Sequence, residues 1–540
     1  MRTNHHQSVL GRTRPPLTVL CSHGRLQRLL ADVLVPTLLI VCMAAMAQQD
    51  QPPQQNQTAR RLSLTDCIQI ALEHNRDIQI ERINPRIARL TLDASYGYYD
   101  PSLVVSGQHE HRQEPGGFDP ADLSEYEMHD AENESVNVGI GGVLPTGMRY
   151  EIAGDYVHSF GLREEIDYDT YRVVANISIT QPLLRDFWTD QARTTIRINK
   201  KNLRISELGV GFVLMEVVHR IELAYYELAF ARENLQVQRK LLEVRKAFQD
   251  QAHQKVIAGA LPAIEEKLAQ AQVAAAETAL IAARNAVSVA ENELRTLLGD
   301  DFQSSEGVEW IPADPLLVVP EELDLRASWQ RGISQRPDLA QLRVEVEKQD
   351  LNVRFRHNQL FPWLDLVAGY GRRGSSTFEQ RLPLPPQASA SKAFDQVWDG
   401  VAPRDLIGVI FTLPLSRTAE RANYRASKEL KEQALLRLKQ REELVMREVS
   451  DALVTARANR DRVEAARRAA ELAEAALEAE QQKLAVGQST FYVVLQLQGD
   501  LAAARSQEAR AKADYNKSLS MLHRAEGSLL ERHKIDIEYK

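Results

Sequence analysis

His109 and His111 flank Glu110, and at alternate positions their two imidazoles would share one face of a strand, a pairing able to hold a metal. No third ligand accompanies them and the segment leads into a polar loop, so a surface strand end is the plainer reading. Gly139-Ile140-Gly141-Gly142 has the composition of a phosphate-cradling loop. It lies inside an alternating run, however, and precedes Pro145 rather than a helix. The chain has no Gly-x-Ser-x-Gly elbow, and no Lys-Ser or Lys-Thr pair behind a glycine-rich loop. His74, His219, His253, His357 and His523 are scattered, and the carboxylates between Glu471 and Glu480 read as a solvated helix face. No catalytic, cofactor-binding or metal-binding set is expected. Glu265 and Glu266 are more interesting. They follow Pro262, where a carboxylate pair would complement a helix dipole. If several copies surround an axis, the same pair would ring a constriction and favour cations.

Composition narrows the classes that could position such residues. The chain has 540 residues, 44% hydrophobic and 26% charged, with 3 Cys and a formal charge of −8. That supports a sizeable core and disfavours collagen-like, disulfide-scaffold and disordered chains. Five Arg and one Asp lie within residues 1–47, so the remainder is more acidic still, which argues against nucleic acid as a partner. Residues 1–47 read as a secretory signal: a long basic region, an apolar run from Val33 to Met46, and a small-residue site at Ala45-Met46-Ala47. Cys42 raises a lipoprotein alternative, but Leu39-Ile40-Val41 lacks the small residue such a site wants. Residues 48–61 form a Gln/Pro-rich linker. After processing only Cys67 would be left, so no intrachain disulfide is expected. No later run holds 18 consecutive apolar residues, so an exported chain of this kind is soluble or enters an outer membrane as strands.

The chain repeats itself. Leu64, Asn75, Asp77, Ile78, Pro101 and Leu103 correspond, at a constant offset of 261, to Leu325, Arg336, Asp338, Leu339, Pro362 and Leu364. Thr180-Gln181-Pro182-Leu183 is echoed by Thr412-Leu413-Pro414-Leu415. Gly259 and Gly299 recur as Gly487 and Gly527, both at offset 228. Constant offsets with elements in one order indicate an internal duplication. The smaller second offset means that the first copy carries about 33 extra residues near its strand-like region.

Two kinds of segment alternate within each copy. Leu214, Ile221, Leu228, Leu235 and Leu242 fall seven apart, as do Val449, Ala456, Val463, Ala470, Leu477 and Leu484. Such ladders predict long helices in coiled-coil contact. The first run, from about residue 189 to 257, would reach roughly 100 Å. Each helix turns at a glycine, Gly259 or Gly487, to make a hairpin with a compact tip. The other kind alternates with period two: Val136 to Ile140, Met148 to Tyr156 and Tyr171 to Ile179 cleanly, Leu103 to His111, Trp363 to Arg372 and Leu406 to Leu413 less so. Each is about ten residues, the length of a tilted membrane-crossing strand. Pro145-Thr146-Gly147 predicts a tight turn between two of them. The polar segments 112–134 and 377–404 read as long connections.

Residues 62–527 resemble the TolC-type outer-membrane efflux protein family. The resemblance is carried by Leu64-Thr65-Asp66-Cys67-Ile68-Gln69-Ile70-Ala71-Leu72-Glu73-His74-Asn75, by Arg336-Pro337-Asp338-Leu339, by Gln181-Pro182-Leu183, and by Gly487 followed by a helix ending near Gly527. It implies an α+β membrane protein, a homotrimer whose outer-membrane antiparallel β-barrel continues into a long periplasmic α-helical coiled-coil barrel. On this reading residues 62–298 are the first repeat, 299–324 an inter-repeat equatorial segment, 325–527 the second repeat and 528–540 a tail. The implied function is the outer-membrane channel of a tripartite efflux or type I secretion system, a passive conduit. Its partners would be a periplasmic adaptor protein, an inner-membrane pump and outer-membrane lipid. The resemblance places adaptor contacts at Gly259, Ala260 and Leu261 and at Val486, Gly487, Gln488 and Ser489. The family's acidic ring after the second tip is missing here, where Tyr492-Val493-Val494-Leu495-Gln496 stands, so Glu265 and Glu266 are the candidate entrance acids. The family has two strands per repeat and the first copy shows four, so the extra pair either widens the barrel or forms an external hairpin. The alternative from another class is a trimeric coiled-coil structural or adhesive envelope protein.

Overall fold

The computed structural model describes residues 60–118, 125–126, 129–163, 166–300, 309–379 and 387–535. The signal and linker up to residue 59, Cys42, and the tail beyond residue 535 lie outside them. The described chain opens with β1 (Arg60–Leu62), α1 (Leu64–His74) and α2 (Arg76–Tyr96). Ser63 caps α1 by accepting from Asp66 N at 3.2 Å, and the Asp66 carboxylate accepts from Ser63 N in return, a reciprocal box. The strands β2 (Ser102–Glu114), β3 (Gly117–Phe118), β4 (Glu125–Tyr126), β5 (His129–Val143), β6 (Arg149–Arg163) and β7 (Ile166–Pro182) follow. Then come α3 (Gln191–Ile257), α4 (Ala263–Leu298) and β8 (Trp310–Pro312). After these come α5 (Leu325–Gln335), α6 (Pro337–Asn358), β9 (Trp363–Glu379), α7 (Ala390–Asp399), β10 (Ala402–Thr412), α8 (Thr418–Ala485) and α9 (Phe491–Glu526), with α10 (Leu529–Arg532) behind them.

Six of the strands form one antiparallel sheet in the order β10-β9-β7-β6-β5-β2. The extra pair of the first copy, β5 and β6, is therefore built into the sheet and is no external hairpin. The strands run 11 to 17 residues, longer than the ten or so expected. Their hydrogen-bonded ladder continues where both faces turn polar, and there no hydrophobic period marks it. The segment 377–404 also differs from expectation, because it contains the helix α7.

The helices α3 and α8 have 67 and 68 residues, about 100 Å each. Each folds back at its tip into a 36-residue partner, α4 or α9. On α4, Ala269, Val273, Ala276, Leu280, Ala283, Val287, Ala290 and Leu294 are buried at alternating spacings of four and three, the seam of a coiled coil. That helix is long and apolar enough by composition to cross a membrane, but this seam packs on α3. The main core gathers Leu214, Ile221, Leu228, Leu280, Leu294 and Trp310 around the first hairpin. A two-stranded parallel pairing of β1 with β8 straps the start of the described chain to the inter-repeat segment. Cys67 is buried beside it, and burial pushes its thiol up to about 12, so it is unreactive.

Candidate functional site

Residues directly opposite in an antiparallel ladder share a face, so the pairings divide the sheet residue by residue. One face carries Leu103 and Val105 on β2, Ile140, Val138 and Val136 on β5, Tyr150, Ile152 and Tyr156 on β6, and Ile179, Ile177 and Val173 on β7. Leu364, Leu366 and Tyr370 on β9, with Phe411, Val409 and Ile407 on β10, complete it. Most of these side chains are exposed. The other face is mostly polar, carrying Ser106, Asn137, Glu151, Asp155, Asn176, Arg172, Gly371 and Arg404, with Val104, Leu406 and Ile410 as exposed apolar members near its two edges. The apolar band does not follow the hydrogen-bonded rows. From β2 to β10 it slips by about five residues, the stagger that tilted strands in a curved sheet produce. Along β7, Ile179 to Tyr171 measures about 26 Å of strand, or about 20 Å when tilted, near the height of a bilayer's apolar layer in outer-membrane barrels. Tyr150 marks one border of the band, and Tyr156, Tyr171 and Tyr370 mark the other.

His109 and His111 do share a face, as their spacing predicts. They lie beyond the band on the apolar side, His109 3.8 Å from Glu134 and His111 2.7 Å from Asp130. Glu134 also meets His158 at 3.4 Å, and His158 meets Asp169 at 2.9 Å. Among the described residues no group of three side chains is arranged to hold a metal. Gly139 to Gly142 lie within β5.

The two tips are built alike. At the first, Gly259 adopts φ 72°, Gly259 N donates to Val256 O at 3.0 Å, and Ala260 N donates to Lys255 O at 2.8 Å. At the second, Gly487 adopts φ 77°, with Gly487 N to Leu484 O at 3.1 Å and Gln488 N to Lys483 O at 2.8 Å. These paired closures satisfy the last carbonyls of each helix, and the positive φ favours glycine. Leu261 and Leu484 tuck into a cluster of Phe248, Ala269, Leu477, Phe491 and Val494 that joins both hairpins. The rings of Phe248 and Phe491 are 4.6 Å apart, and the Lys255 ammonium sits 4.7 Å from the Phe491 ring. Ser489 donates to Glu480 at 2.6 Å. Gly259, Ala260, Val486, Gly487 and Gln488 stay exposed at the end of the body.

The acids near the first tip divide. Glu266 turns back on α3, 3.0 Å from His253, and accepts from Gln270 at 3.1 Å. Glu265 keeps one carboxylate oxygen enclosed and without a partner among the described residues. In the second copy the matching positions are Val493 and Val494, and Val494 is fully buried in the tip cluster.

Sequence reasoning missed α7 and the joints near the sheet end of the hairpins. At the second joint Arg336, 2% exposed, holds Asp338 through two hydrogen bonds of 3.0 and 2.9 Å, and Glu448 at 2.7 Å. Burial alone would raise the Asp338 carboxyl, but the guanidinium groups of Arg336 and Arg441 outweigh it and hold it below the usual range. The Asn75 and Arg336 correspondence at offset 261 is the signal that could have found this joint.

Residues 161–300 and 329–528 match the sequence model of the outer membrane efflux protein family. The first matched stretch begins near the end of β6, so most of the inserted pair β5–β6 lies outside it. No curated protein sequence matches the chain. Among solved structures, the fold is similar to the Campylobacter jejuni CmeC outer membrane channel, with a TM-score of 0.60 at 16% identity over 86% of each chain. It is also similar to the Vibrio cholerae outer membrane protein VceC, with a TM-score of 0.60 at 16% identity, covering 86% of this chain and 96% of that one. The open state of the Neisseria gonorrhoeae MtrE outer membrane channel gives a TM-score of 0.60 at 16% identity, covering 86% of this chain and 89% of that one. With well over half its length matched by the family's sequence model, this chain belongs to the outer membrane efflux protein family.

Proposed function

We propose that three copies of the chain join their sheets into one outer-membrane barrel and their hairpins into one periplasmic tunnel, the passive export duct of a tripartite efflux or type I secretion assembly. The six-stranded sheet carries this reading. It has one continuous apolar face, and its edge strands, β2 and β10, run antiparallel to each other and have no further strand on their outer sides among the described residues. In lipid an open edge leaves backbone groups unsatisfied, at several kcal/mol each. Setting β10 of one copy beside β2 of the next satisfies them and keeps every pairing antiparallel. Three copies then give eighteen strands and a backbone radius of about 18 Å, wide enough for an aqueous channel. The polar face lines that channel, and the tyrosines sit at the two borders of the lipid.

The helical body supplies the rest. Ile281 and Val289 on the outer side of α4 are exposed in one chain and supply a surface for the helices of a neighbouring copy. Residues 62–298 and 325–527 act as two equivalent repeats, joined by residues 299–324. The exposed tips, Gly259 to Leu261 and Val486 to Ser489, meet the periplasmic adaptor. Glu265 and Glu266, beside the first tip, are the carboxylates nearest the tunnel entrance, and an inner-membrane pump supplies the energy.

Single-channel recording of the purified protein in planar bilayers tests this, with Glu265→Gln/Glu266→Gln alongside. Steady conductance whose cation preference falls in the variant is the expected result. Unchanged preference removes the two acids from the entrance. Silence from inserted trimers would favour a structural stalk. Val105→Cys combined with Val409→Cys should crosslink β2 to β10 of neighbouring copies and yield a covalent trimer on a denaturing gel, whereas exclusively monomeric bands would refute the shared barrel.

A further inference from the structure

The helix α7 lies on the apolar face of the sheet, just past the end of the band. Its backbone is pressed so closely onto β9 that a Cβ at Gly374 would fall 1.9 Å from Ala393 O. Arg372 donates to Trp398 O at 3.0 Å, the Gln396 side chain accepts from Ser375 N at 2.9 Å, and Phe394 stacks on Tyr156 at 6.1 Å. The contacts begin two residues beyond Tyr370, where the band on β9 ends.

At 100° per residue the ten residues of α7 sort into three arcs. Ala393, Gln396 and Val397 face the sheet. Lys392, Asp395 and Asp399 form a charged, exposed arc. The third arc is apolar and open, with Phe394 50% and Trp398 86% exposed, and Val401, just past the left-handed Gly400 that ends the helix, adds a further apolar side chain 66% exposed. A helix in water hides such a stripe, and a helix in the body of a bilayer has no place for the charged arc. Three arcs suit a helix touching a wall, water and lipid together.

We propose that α7 is an interfacial helix that seats Phe394, Trp398 and Val401 in the lipid at the outer boundary of the bilayer. The occupant follows from continuity, because the stripe extends the apolar band on the same face, beside Tyr156 and Tyr370. An indole at 86% exposure finds both the apolar layer and a hydrogen-bond acceptor at that depth. The helix thereby fixes how far the barrel sinks, since moving either way would strand the indole in water or drag Asp395 and Asp399 into hydrocarbon. This inference rests on the reading of the sheet as a membrane wall.

Trp398 is itself the probe. The full protein is reconstituted into phosphatidylcholine vesicles carrying bromine either near the headgroups or deep in the acyl chains. The tryptophan emission removed by Trp398→Phe is the signal of interest. We expect it to be blue-shifted, and quenched more strongly by shallow than by deep bromines. Ile152→Trp in the Trp398→Phe background places a reporter in the middle of the band. Quenching at Ile152→Trp with none at Trp398 would overturn the interfacial helix and leave the barrel standing. Quenching at neither would overturn both. Equal or stronger quenching of Trp398 by deep bromines would place it in the hydrocarbon and overturn the boundary position.

Discussion

In the first repeat the corner between α1 and α2 is held by Asn75, whose amide donates to Leu297 O at 2.6 Å while its carbonyl accepts from Ile78 N at 3.2 Å. In the second, Arg336 occupies the corner between α5 and α6 and donates to Ala525 O at 3.2 Å. The acceptors correspond too, at offset 228. One backbone joint is thus closed twice, by a neutral amide and by a buried cation. Asn75 does two jobs, tying the corner to α4 and capping α2. Arg336 makes no cap, and Pro337, at the first position of α6, removes only one of the N–H groups left open at that helix start. In exchange its charge must be balanced, and Asp338 and Glu448 do so, with Arg441 pairing to both carboxylates. The duplicated geometry therefore constrains where a donor sits, and the surroundings decide what kind it is.

Breaking the charged joint should produce the largest effect. Asp338→Ala leaves a buried guanidinium short of its two-point partner, and a loss of about 3–5 kcal/mol is expected in denaturant melting of the purified protein. Each joint also holds a left-handed glycine. A Cβ at Gly299 would meet His74 O at 2.3 Å, whereas at Gly527 the nearest atom is Arg336 N at 3.0 Å. Gly299→Ala should cost at least about 2 kcal/mol and exceed Gly527→Ala in the same melts. Equal losses would mean that the first joint relaxes. Asn75→Ala, losing a cap and a tie, should cost about 1–2 kcal/mol. The tips sharpen the contrast, because Gly259 and Gly487 share the left-handed φ with nothing within 4 Å of an added Cβ. Alanine at either should cost only about 1 kcal/mol, the conformational term alone.

One further expected effect depends on pH. Near the second joint Glu321 meets His523 at 3.2 Å and Arg532 at 2.6 Å. Its hydrogen bond with His523, then that with Arg532, outweigh burial and lower its carboxyl from 4.5 to about 2. A carboxyl lowered on folding stabilises above its unfolded value, and that contribution is lost as pH falls from about 4.5 toward 2. The deficit of Glu321→Gln in thermal melts at pH 7 should therefore shrink across that window. A constant deficit would show that the contact acts by packing alone.

Period and punctuation made much of the architecture legible. Leu214 to Leu242 and Val449 to Leu484 repeat every seven residues because neighbouring turns of a helix must present one face to a partner, and that demand is local. Gly259 and Gly487 are readable for the same reason. The upper halves of the strands were less so, since His109, Glu134 and His158 continue the ladder with no apolar period to betray it. The helix α7 hid in a polar stretch, although Phe394 and Trp398 stand at helical spacing. Ten residues are too few for periodicity to outweigh the Gly, Pro and Ser around them.

The amino-acid sequence by itself determined the duplication, the helical hairpins with their glycine tips, and the alternating strands, because each is written in spacings of a few residues or in constant offsets. Only the tertiary structure decided that β5 and β6 enter the sheet, that the apolar band runs obliquely across six strands, that α7 rests on that band's edge, and that Asn75 and Arg336 close the same joint. Those outcomes depend on register between segments far apart in the chain. Cross-strand hydrogen bonding and the filling of a shared core select that register, and neither leaves a mark within any single segment.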